Sequence, residues 1–203
     1  MTKEEYLAFR AQRAGVKPHE NETNGWWMQS HLDEIWAVIE EAQRLMGQVK
    51  IVLEIGTNHG GSCLVWDKLT GTGGVVITLD VLGLHSQYPI DPQYSPWRPL
   101  SDFHALLMDS HAPETLAAVQ RILAGRSIDL LFIDGDHSYA GCKQDFEMYS
   151  PLVRSGGLVA IDDCVIMPHM VGRAWEEFPE PKKMIELPPG SNPGAHGMGL
   201  VYR

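Results

Sequence analysis

The stretch Val52-Leu53-Glu54-Ile55-Gly56-Thr57-Asn58-His59-Gly60-Gly61-Ser62 decides the architecture. Apolar residues enter it from Val49, the glycines force a tight turn, and a helix is expected to start near Ser62. Gly71 to Gly74 close that helix, and Val75-Val76-Ile77-Thr78-Leu79 reads as a buried strand ending at Asp80. Strand, helix and strand in this order make a parallel sheet with a right-handed crossover.

Upstream, Leu32, Ile35, Trp36, Ile39, Ala42 and Met46 recur at helical spacing, with Ser30 as N-cap and Gly47 as the stop. Downstream, strands are expected over His104–Met108, Ile128–Ile133 and Gly157–Ile161. Helices are expected over Pro113–Leu123, Ala140–Val153 and Pro168–Phe178. Lys183–Leu187 and Met198–Tyr202 flank a Gly/Pro loop and read as an antiparallel hairpin. The expected fold is α/β: a doubly wound three-layer sandwich around a seven-strand, mostly parallel, Rossmann-like sheet whose last strand is antiparallel. Residues 1–30 read as an N-terminal extension, with a short helix and then a loop, and 31–203 as the domain. Residues 83–101 interrupt the rhythm, because Pro89, Pro92, Pro96 and Pro99 alternate there with Tyr88, Tyr94 and Trp97. Such a loop is either a lid or a surface elaboration.

The 203 residues fit one domain. With 26 acids against 16 bases the formal net charge is −10, which argues against nucleic acid or an anionic membrane as partner. Met1-Thr2-Lys3-Glu4-Glu5 leads into polar sequence without an apolar h-region, and no apolar run is long enough to span a bilayer. Cys63, Cys142 and Cys164 are far apart and odd in number, so they read as buried thiols. Together these features point to the cytoplasm and a small-molecule partner. Trp26-Trp27 fits either the core or the interface of a homo-oligomer.

Three features carry chemistry. The turn is E-x-G-x-x-x-G-G-S rather than the dinucleotide fingerprint G-x-G-x-x-G, and Glu54 in place of the first glycine favours a cationic ligand over a pyrophosphate. Asp80, just over 20 residues beyond the turn, is placed to accept both hydroxyls of a ribose. Asp109-Ser110 at the next strand end is a candidate for the adenine pocket. Finally, Ile133-Asp134-Gly135-Asp136-His137 and Ile161-Asp162-Asp163 deliver up to four carboxylates to one sheet edge. A hard divalent cation such as Mg²⁺ would relieve their repulsion. The plain alternative is that these acids cap helices and face water.

The glycine turn resembles the first motif of the class I S-adenosylmethionine (SAM) dependent methyltransferases. Over roughly residues 26 to 180 the chain resembles the metal-dependent O-methyltransferases of the catechol and caffeoyl-CoA type. The run Ile133-Asp134-Gly135-Asp136-His137-Ser138-Tyr139, with Asp145 and Tyr149-Ser150-Pro151-Leu152-Val153, is similar to the cephalosporin hydroxylase-type and macrocin-type sugar O-methyltransferases. The resemblance implies transfer of a methyl group from SAM to an oxygen, with Glu54, Gly56, Thr57, Asn58, Gly60, Ser62, Asp80, Asp109, Ser110 and Asp136 at cofactor positions. It implies Asp134, Asp162 and Asp163 as metal ligands. The catechol type has lysine where this chain has His137. Because it directly follows the acid cluster and imidazole titrates near neutrality, His137 is the first candidate base, with His169 second and His59 and His196 further candidates. Competing readings are a nucleotide-sugar glycosyltransferase using Asp134-Gly135-Asp136 as a metal chelate, a dinucleotide oxidoreductase, and a non-catalytic SAM-fold protein.

Overall fold

A computed structural model of the chain describes residues 1–13, 32–58, 60–81, 98–185 and 196–203. Helices α1 (Lys3–Arg13) and α2 (Leu32–Met46) precede strand β1 (Ile51–Ile55), which the glycine turn joins to α3 (Gly61–Thr70). Then follow β2 (Val75–Asp80), β3 (Asp102–Leu107), α4 (Pro113–Leu123), β4 (Ile128–Ile133) and α5 (Tyr139–Tyr149). The chain ends with β5 (Val153–Ile161), α6 (Val171–Glu177), β6 (Lys182–Met184) and β7 (Gly199–Tyr202). The seven strands form one sheet in the order β3-β2-β1-β4-β5-β7-β6.

Neighbours from β3 to β5 pair in parallel, and β7 runs antiparallel to both β5 and β6. The expected fold class is therefore met. The last strand is reversed as expected: β6 keeps the direction of β5, and only β7 runs against the rest. Alternate residues of each strand feed two cores. Leu53, Ile77, Leu131 and Val159 face α4, α5 and α6, whereas Val52, Val76, Leu130 and Ala160 face α2 and α3. Tyr6 of α1 joins the second core and lies 5.4 Å from the ring of Trp36.

Several boundaries depart from expectation by one to four residues. The helix expected to reach Val153 stops at Tyr149, and a 3₁₀ turn over Ser150–Leu152 leads directly into β5. Pro151 lacks the amide hydrogen that would continue the α-helix, so Val153 begins a strand instead. Helix α6 starts at Val171 rather than near Pro168. All three cysteines are buried and unpaired, as expected of small apolar side chains. Among the described residues no helix is long and apolar enough to cross a membrane. Trp26, Trp27 and the aromatic residues Tyr88, Tyr94 and Trp97 lie outside the described residues.

Buried carboxylates join segments that the sheet ladder does not. Asp67 of α3, 2% exposed, accepts from the backbone N–H of Leu100 and Ser101 and from the Ser101 hydroxyl, fixing the entry to β3. Asp129 accepts from the N–H of Lys50 and Ile51 at the start of β1 and pairs with Arg154 of β5. Replacing Asp67 with alanine leaves three donors without their acceptor. Urea denaturation of Asp67→Ala is expected to show a loss of roughly 2–4 kcal/mol.

Candidate functional site

At the carboxyl edge of the strands lies a cavity of about 690 Å³, centred where strand order reverses between β1 and β4. Its floor is the glycine turn. Gly56 has φ +95°, and a Cβ there would stand 1.8 Å from the carbonyl oxygen of Asp134. Only glycine allows this approach. The amides of Gly56 and Thr57 both donate to the carbonyl of Leu79, and the Thr57 hydroxyl is hydrogen-bonded to that of Thr78. The turn is thus tied to the end of β2. Asp80 there accepts the Asn58 N–H at 2.7 Å, and both residues line the cavity.

Gly56, Thr57, Asn58, Ser62, Asp80, Asp109, Ser110 and Asp136, all expected at cofactor positions, line this one cavity. Glu54 does not, and the expectation of direct ligand contact is corrected. Its carboxylate is fully buried against α3, accepting from the Trp66 indole at 2.7 Å and from Cys63 and Thr78 at 3.1 Å. Position 54 has the parity of Val52, so it points to the α2–α3 layer rather than to the cavity. Burial pushes its pKa up, opposed by these donors. Gly60 does not line the cavity either; with φ +75° it is the N-cap of α3 and shapes the turn from beneath. His59 lies outside the described residues.

The Asp109 side of the cavity holds a pair that the sequence did not suggest. His111 lines the cavity, and its Nε2 stands 3.3 Å from Oδ1 of Asp145 on α5. Asp145 is fully buried, and neither of its oxygens has a well-formed hydrogen bond. Burial raises its pKa to about 6 despite the help of Ser110 and the His111 charge.

On the β4–β5 side the two acidic doublets meet two imidazoles. Oδ1 of Asp134 lies 3.1 Å from Nε2 of His137, whose Nδ1 lies 3.3 Å from Oδ2 of Asp163. The other oxygen of Asp163 is 2.6 Å from Nδ1 of His196. Asp163 sits at φ +62°, a left-handed conformation that aspartate tolerates better than most residues. The hydrogen bond with Asp134 and the surrounding acids raise the pKa of His137 to about 9. Asp134 keeps about a third of its side chain open to the cavity, yet desolvation and the charges of Asp162 and Asp163 still push it upward. Asp162 and Asp163 are both 4% exposed.

His169 is exposed and does not line the cavity, so the structure does not bring the second candidate base to the site. His196 takes that place. One of the further candidates from the sequence, it reaches the cluster from the connection before β7, 33 residues from Asp163. The Asp134-Gly135-Asp136 run does not act as one chelate. Asp136 turns to the start of α5, where it accepts the Ser138 N–H at 2.8 Å and packs against Gly141. That hydrogen bond holds its pKa below the usual carboxylate range.

Carboxylate oxygens beside imidazole nitrogens are a donor set that suits a divalent cation. Among the described residues, Asp134, His137 and Asp163 form one group whose ligand atoms all lie within 4.8 Å, and Asp162, Asp163 and His196 form another. The three acids expected as ligands, Asp134, Asp162 and Asp163, do not form such a group by themselves.

Residues 53–164 match a family model described as a methyltransferase domain. A curated relative, the ribosomal RNA large subunit methyltransferase E of Janthinobacterium sp. (strain Marseille), is 29% identical over 97 residues, which is 47% of this chain and 42% of that one. The chain spans about half the length of the curated relatives it matches. Among solved structures, an O-methyltransferase from Bacillus cereus in complex with SAH superposes with a TM-score of 0.59 at 20% identity, covering 98% of this chain and 90% of that one. A crystal form of the methyltransferase MycE from mycinamycin biosynthesis, in complex with Mg and SAH, superposes with a TM-score of 0.54 at 19% identity, covering 82% and 48%. At these identities the likeness is one of fold.

The buried Asp145 makes a pH-dependent prediction. Its folded pKa lies above its unfolded value, so the native state holds the extra proton between about pH 4 and 6, and stability falls as pH rises through that window. Asp145→Asn should remove the fall, leaving the variant more stable than the parent above pH 6 by about 1–3 kcal/mol and nearly equal to it at pH 4. Denaturant midpoints of both proteins at pH 4 and 8 check this.

Proposed function

The chain belongs to the methyltransferase-domain family, and from that premise we propose that it is a SAM-dependent methyltransferase acting on a hydroxyl of a small acceptor with the help of a divalent cation. The observation that carries this reading is one cavity that joins a glycine turn and the Asp80 carboxylate to the Asp134–His137–Asp163–His196 cluster. The first half fits a nucleoside, and the second fits the handling of a proton and a cation.

When bound, SAM supplies an electrophilic methyl carbon, whose bond to sulfur breaks, with the electron pair left on sulfur, as the carbon–oxygen bond to the acceptor forms. Asp80, fixed by the Asn58 amide, offers its remaining acceptor capacity to the ribose hydroxyls. Gly56, without a side chain, leaves the turn's backbone open to a close approach by the ligand. His137, held between Asp134 and Asp163, is placed to take the proton that leaves the acceptor hydroxyl once a cation at the acids offsets the charge that raises its pKa to about 9. A divalent cation at the acids would compensate their charge and lower the pKa of a hydroxyl brought against it. Holding acceptor and donor in line within one cavity supplies much of the rate.

The ribosomal RNA methyltransferases among the relatives act on a polyanion by their printed name. A formal charge of −10 disfavours such a partner here, and this supports a small acceptor. The apolar side chains of Val165, Ile166 and Met170, exposed just beyond Asp163, would suit an acceptor with an apolar body.

Isothermal titration calorimetry with SAM and its demethylated product tests the reading. Binding at roughly micromolar Kd is expected, weakened at least roughly tenfold in Asp80→Ala. His137→Ala should keep that binding and lose turnover by about 10²–10⁴ with any acceptor found. A folded protein that binds neither molecule overturns the proposal.

A further inference from the structure

The acids of the cluster suggest a hard cation, but each of its ligand groups contains an imidazole. The two groups share Asp163 and differ in how their imidazole is built. His137 follows Asp134 on one short segment and is 39% exposed at its side chain. His196 is braced from two sides. Its own N–H and that of Gly197 both donate to the carboxylate of Glu34 on α2, at 3.1 and 2.8 Å. Glu34 is itself 1% exposed. In the other direction the carbonyl of His196 accepts from Val165 and Ile166, and that of Gly197 from Cys164. Gly197, at φ +78°, is pressed so closely that a Cβ would stand 2.1 Å from Val165. A buried carboxylate and a sterically required glycine thus hold one imidazole against Asp163. Such bracing of a ligand's support is what a metal site needs for a fixed donor direction.

Resting on the reading above, we propose that the cation of this cluster is a divalent transition metal of the manganese-to-zinc series, bound by Asp162, Asp163 and the Nδ1 of His196. Asp134 and His137 stand outside its inner ligands. Mg²⁺ demands oxygen donors in near-ideal octahedral geometry, whereas imidazole suits the transition metals. Asp163 divides the labour. One oxygen faces His196 and the metal group, and the other faces His137. This assignment differs from the three acids that the sequence suggested.

The test uses the full chain stripped with a chelator. Calorimetry with Mn²⁺, Co²⁺ and Mg²⁺, run with and without SAM, is expected to show Mn²⁺ or Co²⁺ binding at least roughly a hundredfold tighter than Mg²⁺. Pulsed electron paramagnetic resonance of the Mn²⁺ form should show a coupled imidazole nitrogen. In His196→Ala that coupling should vanish and transition-metal affinity should fall at least roughly tenfold, with Mg²⁺ affinity nearly unchanged. His137→Ala should keep the coupling. Equal affinity for Mg²⁺ and Mn²⁺, absence of nitrogen coupling in the parent protein, or coupling lost in His137→Ala instead overturns the assignment. The parent spectrum decides the matter even if His196→Ala does not fold. SAM binding without metal binding would sink this inference alone, whereas failure to bind SAM would sink the methyltransferase reading alone.

Discussion

The close approach of Gly56 to the carbonyl of Asp134 sets the geometry on which the cavity depends. With a Cβ excluded at 1.8 Å, the turn after β1 lies directly on the end of β4, and the Asp134 amide donates back to Ile55 at 2.8 Å. This seam is where the strand order reverses. It gathers the residues that follow β1 and β2 on one side and those that follow β4 and β5 on the other. A larger residue at position 56 would push the halves apart and separate the Asp80 carboxylate from the acid–imidazole cluster, whatever the stability of either half.

Carboxylates divide into two populations by their surroundings. Glu34, Glu54, Asp67 and Asp129 are buried and spend their oxygens on amides, an indole, hydroxyls, a thiol or a guanidinium. They fasten helices and loops to the sheet, and a buried charge acting this way is tolerable because its acceptor capacity is filled. Asp134, Asp162 and Asp163 instead crowd one another at the cavity, where His137 and His196 supply the opposing dipoles or charge. The raised pKa of His137 is the mark of that crowding. The overall acidity of the chain therefore includes structural acceptors as well as a concentrated site.

Much of this was legible in the sequence, for a physical reason. Strand ends at the carboxyl edge of a doubly wound sheet are where ligands bind, so Asp80, Asp109, Asp134 and Asp162-Asp163 could be placed from periodicity and punctuation alone. Helix α4 and strand β4 fall on the expected residues because Pro113 and the apolar run Ile128–Ile133 mark them sharply. Side-chain direction was harder to read. Glu54 sits one residue from the turn, yet strand parity sends it into the α2–α3 layer. Asp136 sits two residues from Asp134, yet it turns to accept the amide of Ser138, the residue that caps α5. What brings His196 and Glu34 to the site is long-range packing across 33 and about 160 residues, respectively, and no local pattern encodes it.

The same distinction bears on the proposed cation, for which the acidic doublets alone point to oxygen ligation. A count of carboxylates at a sheet edge predicts oxygen ligation, since oxygen is all that the local sequence displays. The folded chain adds a nitrogen donor from a distant connection and anchors it with a carboxylate from α2. The affinity order of a site follows its donor atoms and how rigidly they are held, not the number of acids nearby. By fixing the backbone of residues 196–197, Glu34 decides which donor faces Asp163, and through that the chemistry open to the cavity.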